Sequence, residues 1–132
     1  MSRKIALNLV VLSLILSACG AIEAAQAFTR VGNDFMTALK DGDYEAAYAF
    51  FHPGLQENFG TVEDLKKGVE DNAVRPKDWS FSSVNATTDA DKVTTAKMEG
   101  SVTYQDGGTG AVTLEMVQVD ADWKIISFNL AR

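Results

Sequence analysis

The chain is poor in the residues that carry most metal and redox chemistry. Its 132 residues include one cysteine, Cys19, and one histidine, His52. A lone thiol cannot close an intrachain disulfide, so stability must come from packing. One imidazole without HExxH spacing offers no zinc-type ligand set. GxSxG, a phosphate-cradling glycine loop and a plausible triad are all missing. Only 12 basic residues stand against 18 acidic ones, which makes nucleic acid a poor partner. The longest apolar stretch, Ile5 to Leu16, is interrupted by Asn8 and Ser13. It falls short of the roughly 20 residues that span a bilayer.

What the N-terminus does contain is a leader. Arg3 and Lys4 precede the apolar run, as the charged and hydrophobic regions of a secretory signal do. The run ends in Leu16-Ser17-Ala18-Cys19. This resembles the lipobox of bacterial lipoproteins: an aliphatic residue, two small residues, then cysteine. The resemblance implies a diacylglycerol on the Cys19 thiol, cleavage after Ala18 and acylation of the new amino group. Two or three chains would hold firmly where one holds marginally. Residues 1–18 are thus expected to be the signal, 19–23 the lipidated tether and 24–132 an α+β domain. Gly20 is not the aspartate that favours inner-membrane retention in Gram-negative lipoproteins. The expected location is the cell envelope: the outer membrane facing the periplasm if Gram-negative, otherwise the outer face of the cytoplasmic membrane.

Loss of the leader removes two basic residues and leaves 10 against 18 acidic, a net charge of −8 on the mature chain. An anionic membrane would repel that body, so the lipid must do the holding. The 114 residues from Cys19 onward suit one domain with its own core.

Apolar residues at Ala24, Phe28, Val31, Phe35 and Leu39 recur at helical spacing, predicting a helix over 22–40. Asp41-Gly42-Asp43 supplies a left-handed stop and an N-cap. A second helix is predicted from Tyr44 to about Phe51, ended by His52-Pro53-Gly54. Leu55 to Phe59 reads as a turn of helix. Thr61 to Asp64 forms a capping-box pattern ahead of a helix to about Asp71. Asn72 to Lys77 reads as a loop. The period then shortens to two, predicting strands near 79–88, 92–105, 110–120 and 122–131. Short connections make them an antiparallel meander. Ala96, Met98, Val102 and Tyr104 share one face, as do Val112, Leu114 and Met116, and then Ile126, Phe128 and Leu130. Gly100 within a strand points to a bulge or bend.

The expected architecture is α+β: three N-terminal helices packed on a curved four-stranded antiparallel meander. A helix ending in AL-K-DGDYEAAYAFF, a further short helix and a closing DWKIISFNL strand are similar to the nuclear-transport-factor-like (cystatin-like) superfamily, which includes ketosteroid isomerase. The likeness covers about residues 24–131. It implies a cone whose open end can hold a small molecule.

Tyr44, Tyr48 and His52 at i, i+4 and i+8 fall on one side of the second helix, and Tyr104 is on an inner sheet face. In such a cone these four are the candidate ligand contacts. The competing reading makes the tyrosines amphipathic core residues and His52 a helix-end residue. Trp79, Phe81 and Trp123 read as rim packing, or as a partner-binding edge. No catalytic residue, cofactor or metal is assigned. Asp41-Gly42-Asp43-Tyr44-Glu45 has carboxylate spacing like a calcium loop but lacks its glycine and terminal glutamate, and capping accounts for it. Glu99 and Glu115 fall on polar faces, and no carboxylate points inward. The leading expectation is a membrane-anchored, non-enzymatic module for a small apolar ligand or an envelope protein. An isomerase- or dehydratase-like enzyme using His52 or a tyrosine is the rival, and a structural envelope subunit the third reading.

Overall fold

The computed structural model describes residues 27–132. The expected signal (1–18), the lipidation site Cys19 and the tether (19–23) lie outside the described residues. Helix α1 occupies 27–41. It is followed by α2 (Tyr44–Ala49), α3 (Pro53–Phe59) and α4 (Val62–Asp71). Four strands follow: β1 (Pro76–Thr88), β2 (Thr94–Tyr104), β3 (Thr109–Val119) and β4 (Asp122–Leu130). They form one antiparallel sheet in the order β1-β2-β3-β4.

The predicted punctuation does the predicted work. Gly42 has φ +74°, the left-handed geometry that ends α1. Arg75 reinforces that end, its Nε and Nη2 donating to the Lys40 carbonyl at 3.0 and 2.8 Å. The Asp43 carboxylate accepts from the Ala46 N–H and starts α2. Thr61 and Asp64 close a reciprocal capping box at the head of α4. The short helix α3 is longer than the turn expected at Leu55. Pro53 begins a helix and does not end one: α2 has already stopped at Ala49, and Pro53 occupies the first turn of α3, where its missing N–H has no role.

One sheet face is covered by helices. Phe28, Phe35, Met36 and Leu39 of α1 are buried against Met98 and Val102 of β2 and Val112, Leu114 and Met116 of β3. At Gly32 the helix comes so near that an added Cβ would lie 2.6 Å from the Met98 sulfur. Phe51 and Phe128 stack with ring centroids 5.4 Å apart, and Phe35 and Phe59 pack against both. The opposite face carries Ser101, Thr113, Lys97, Glu99, Glu115 and Ser127, as alternation requires of a sheet wet on one side.

The sheet bends at bulges. Ser82 is the extra residue between the Phe81–Gly100 and Ser83–Glu99 pairs. Gly100 makes room for it, because a Cβ there would lie 2.0 Å from the Ser80 carbonyl oxygen. A second bulge corrects the expected facing of β4. The register passes from Glu115–Ser127 to Met116–Ile125 and leaves Ile126 unpaired. Ile126 is therefore 37% exposed and Ile125 fully buried, although strict alternation from Phe128 and Leu130 predicts the reverse. The bulge lets Trp123 and Ile125 share the inner face with Phe128 and Leu130. Trp123 packs edge-on against Phe28, and the Trp79 indole N–H donates to Asn33 Oδ1 at 2.9 Å. Both tryptophans are tied to α1, as rim packing.

Two glycine substitutions should move stability in opposite directions. Gly100→Ala forces apart two paired strands and should destabilise by about 2 kcal/mol or more. Gly68→Ala, inside α4, meets nothing nearer than Phe59 Cζ at 3.9 Å and should stabilise by about 0.5–1 kcal/mol. Urea denaturation of each variant measures both. The capping box also sets an acid dependence. Hydrogen bonds from the Thr61 N–H and hydroxyl hold Asp64 below its ordinary value of 3.8. A depressed carboxyl contributes its stability in full above the unfolded value and loses it as pH falls through the folded one. Thermal midpoints should drop below about pH 4, and Asp64→Asn should flatten part of that drop.

Candidate functional site

Between α4 and the far half of β4 the two layers separate and leave an open cleft of about 480 Å³. Its α4 wall is Gly68, Val69 and Asn72, continued by Val74. Phe59 closes one end. The facing wall is Phe128, Asn129, Leu130 and Arg132. The gap exists because Gly68 has no side chain on a helix turn between Leu65 and Asn72. Nothing in its conformation requires glycine, so what it supplies is space. The polar side chains facing it are Asn72 and Arg132; Asn129 pairs with Thr113 and turns its amide to the opposite face of the sheet. Asn72 Nδ2 donates to the Gly68 carbonyl at 2.7 Å.

Arg132 is held by several contacts. β3 and the chain after β4 pass so closely at Gly110 that a Cβ there would lie 1.7 Å from the Ala131 carbonyl oxygen. The Ala131 N–H donates to the Ala111 carbonyl at 2.9 Å. The Tyr104 hydroxyl donates to the Ala131 carbonyl. The Arg132 guanidinium carbon lies 5.5 Å from the Tyr104 ring centroid, within cation–π range. Arg132 Nη1 donates to the Ala73 carbonyl at 2.7 Å and to Asp106 Oδ2 at 2.8 Å. That bond and the Gly108 N–H hold the Asp106 carboxyl below its ordinary range.

The four residues singled out from the sequence occupy separate places, and none lines this cleft. Tyr44 is 5% exposed, and its hydroxyl has no partner among the described residues. Burial raises its pKa, the nearby Glu70 adds to the rise, and Arg75 opposes it. The Tyr48 hydroxyl donates to the Gly60 carbonyl at 2.7 Å and ties α2 to the end of α3. His52 does not continue the Tyr44–Tyr48 line, because α2 stops at Ala49. Phe51 leaves the helix to bridge Ile125 of β4, and the His52 N–H donates to the Ile125 carbonyl at 2.8 Å. The imidazole Nδ1 then caps α3 by accepting from the Gly54 N–H. Tyr104 is fully buried, with its pKa raised by desolvation, and it bears on the cleft only through Ala131 and Arg132.

A smaller crevice of about 180 Å³ lies between Glu70, Arg75 and Asp106, beyond the end of α4. Among the described residues no group of three or more His, Cys, Asp or Glu side chains converges as a metal site. No helix among them is long and apolar enough to cross a membrane.

Sequence analysis missed the cleft, although two signals of it were present. Gly68 breaks the apolar stripe of an otherwise good amphipathic helix, and Arg132 follows the alternating residues of the last strand.

Comparison with known proteins agrees with this architecture. The chain is similar in structure to Aln2 from a Streptomyces species, with 17% identity and a TM-score of 0.56. The match covers 83% of this chain and 90% of that one. It is also similar to a Campylobacter jejuni protein described as an NTF2-like transpeptidase, with 12% identity and a TM-score of 0.50. That match covers 75% of this chain and 96% of the other. At such identities the likeness extends to the fold, which is NTF2-like. No curated protein sequence matches the chain. Residues 21–132 match the family described as a domain of unknown function, DUF4864, and the chain belongs to that family.

Proposed function

We propose that this is an envelope lipoprotein, anchored through acyl chains on Cys19, whose NTF2-like domain holds a small apolar ligand in the cleft between α4 and β4. The observation that carries the binding half is the cleft itself. About 480 Å³ walled by Phe59, Val69, Val74, Phe128 and Leu130 suits a small molecule. The anchor rests on the leader and on Leu16-Ser17-Ala18-Cys19.

Binding is favoured over acid–base catalysis by what lines the cleft. An isomerase or dehydratase needs a proton carrier within hydrogen-bond reach of the substrate. Among the described residues the walls offer the Asn72 amide and the Arg132 guanidinium, with no side-chain carboxylate, imidazole or phenol. The His52 Nδ1 and Tyr48 hydroxyl are engaged in capping and bridging elsewhere.

Two experiments test the halves separately. Nile red, a neutral apolar dye, should gain fluorescence with the full-length chain. Gly68→Leu should reduce that gain about tenfold or more with the unfolding midpoint preserved. An unchanged gain would remove the cleft from the account. Cys19→Ser should shift the protein from the membrane to the soluble fraction of its host and abolish globomycin-sensitive processing. Continued membrane association would refute the lipid anchor.

A further inference from the structure

The charge at the rim of the cleft indicates which apolar ligand fits. Among the described residues Arg132 is the single charged side chain lining it, in a chain with an excess of acidic residues. We propose that the ligand is an amphipathic anion, a medium-length alkyl carboxylate, with its chain between Gly68 and Phe128 and its headgroup on Arg132. This assignment rests on reading the cleft as a ligand site.

The guanidinium is both positioned and incompletely used. The Tyr104 hydroxyl bond to Ala131, the Ala131–Ala111 backbone bond and the Tyr104 ring fix where Arg132 stands. A guanidinium has five N–H donors in a rigid fork. The two on Nη1 face the Ala73 carbonyl and Asp106. Among the described residues, those on Nε and Nη2 have no hydrogen-bond acceptor; Nη2 lies over Gly108 of the β2–β3 turn, where an added Cβ would be 2.4 Å away, and the Nε–Nη2 edge is the one that pairs bidentately with a carboxylate.

Asp106 is the objection to meet. It neutralises part of the Arg132 charge, but it belongs to the β2–β3 turn and lines the smaller crevice, not the cleft. Among the described residues no acidic side chain lines the cleft to repel an incoming anion. The Asn72 amide, whose Nδ2 donates to the Gly68 carbonyl, lines the same cleft and adds no charge. Seating a cation there would set like charge against Arg132. A neutral alcohol has a single uncharged oxygen to accept from the guanidinium edge, where a carboxylate has two that share a charge.

Displacement of Nile red from the full-length chain tests this, with decanoate, decanol and decyltrimethylammonium as competitors and Gly68→Leu as the control for binding elsewhere. Decanoate should displace the dye at about tenfold lower concentration than decanol, the increment expected of a charge-assisted pair, and the ammonium should be the weakest. Arg132→Gln should bring decanoate level with decanol and leave decanol unchanged. Arg132→Lys, which keeps the charge and loses the fork, should retain only part of the preference and serves if the glutamine variant does not fold. Equal displacement by decanoate and decanol in the natural chain would overturn the headgroup assignment, as would a preference that survives both substitutions. In either case the cleft remains a ligand site if the dye still responds to Gly68→Leu. Insensitivity of the dye to that substitution instead removes the site, and this proposal with it.

Discussion

A sheet of four long strands cannot be covered by one long helix and three short ones unless it bends. Everything else in this protein depends on that bend. Flat strands of eleven residues would run about 35 Å, well beyond the reach of α2 or α3. The chain bends the sheet by placing extra residues at Ser82 and Ile126 and by removing a side chain at Gly100. The first bulge and the glycine let β1 and β2 close on each other. The second turns Trp123 and Ile125 inward while Phe128 and Leu130 keep the same face. The inner surface that results is curved enough for α1 to lie across it at Gly32.

The same bend produces the cleft. The aromatic cluster of Phe35, Phe51, Phe59 and Phe128 fills the middle of the curve, where α1, α3 and β4 meet. Beyond it the strand continues to Leu130 and Arg132, while α4 meets it across Gly68 without a side chain to bridge the distance. Core and cleft are thus continuous, with Phe59 and Phe128 serving both. Ligand contacts would come from residues whose rotamers are already set by packing, which is how a site keeps its shape before anything is bound.

Much of the fold was legible in the sequence because its signals are local. Helical spacing, the Gly42 stop, the Asp43 cap, the Thr61–Asp64 box and the alternation in β2 and β3 each act within a few residues. The failures come where distant segments decide. Ile126 reads as inward by alternation, and only pairing with β3 makes it the extra residue. Pro53 reads as the end of the second helix, but α2 stops at Ala49 and Phe51 bridges to Ile125, so Pro53 opens α3 instead. Tyr44, Tyr48 and His52 align on an ideal helix, but the real one ends at Ala49. The cleft was invisible for a related reason. It is formed where contacts do not occur, between a helix and a strand some sixty residues apart. Its only marks in the sequence are one glycine and one arginine.

Gly68 has a consequence for how such a chain can change over time. Its backbone is ordinary helix, so almost any replacement would make α4 a better helix while occupying the space beside Phe59. On the proposed reading of the cleft as a ligand site, a more robust helix and an open cleft therefore pull this position in opposite directions. Among relatives, those that keep glycine here would be expected to have kept the cavity's purpose, and those that have filled it would be expected to have become scaffolds.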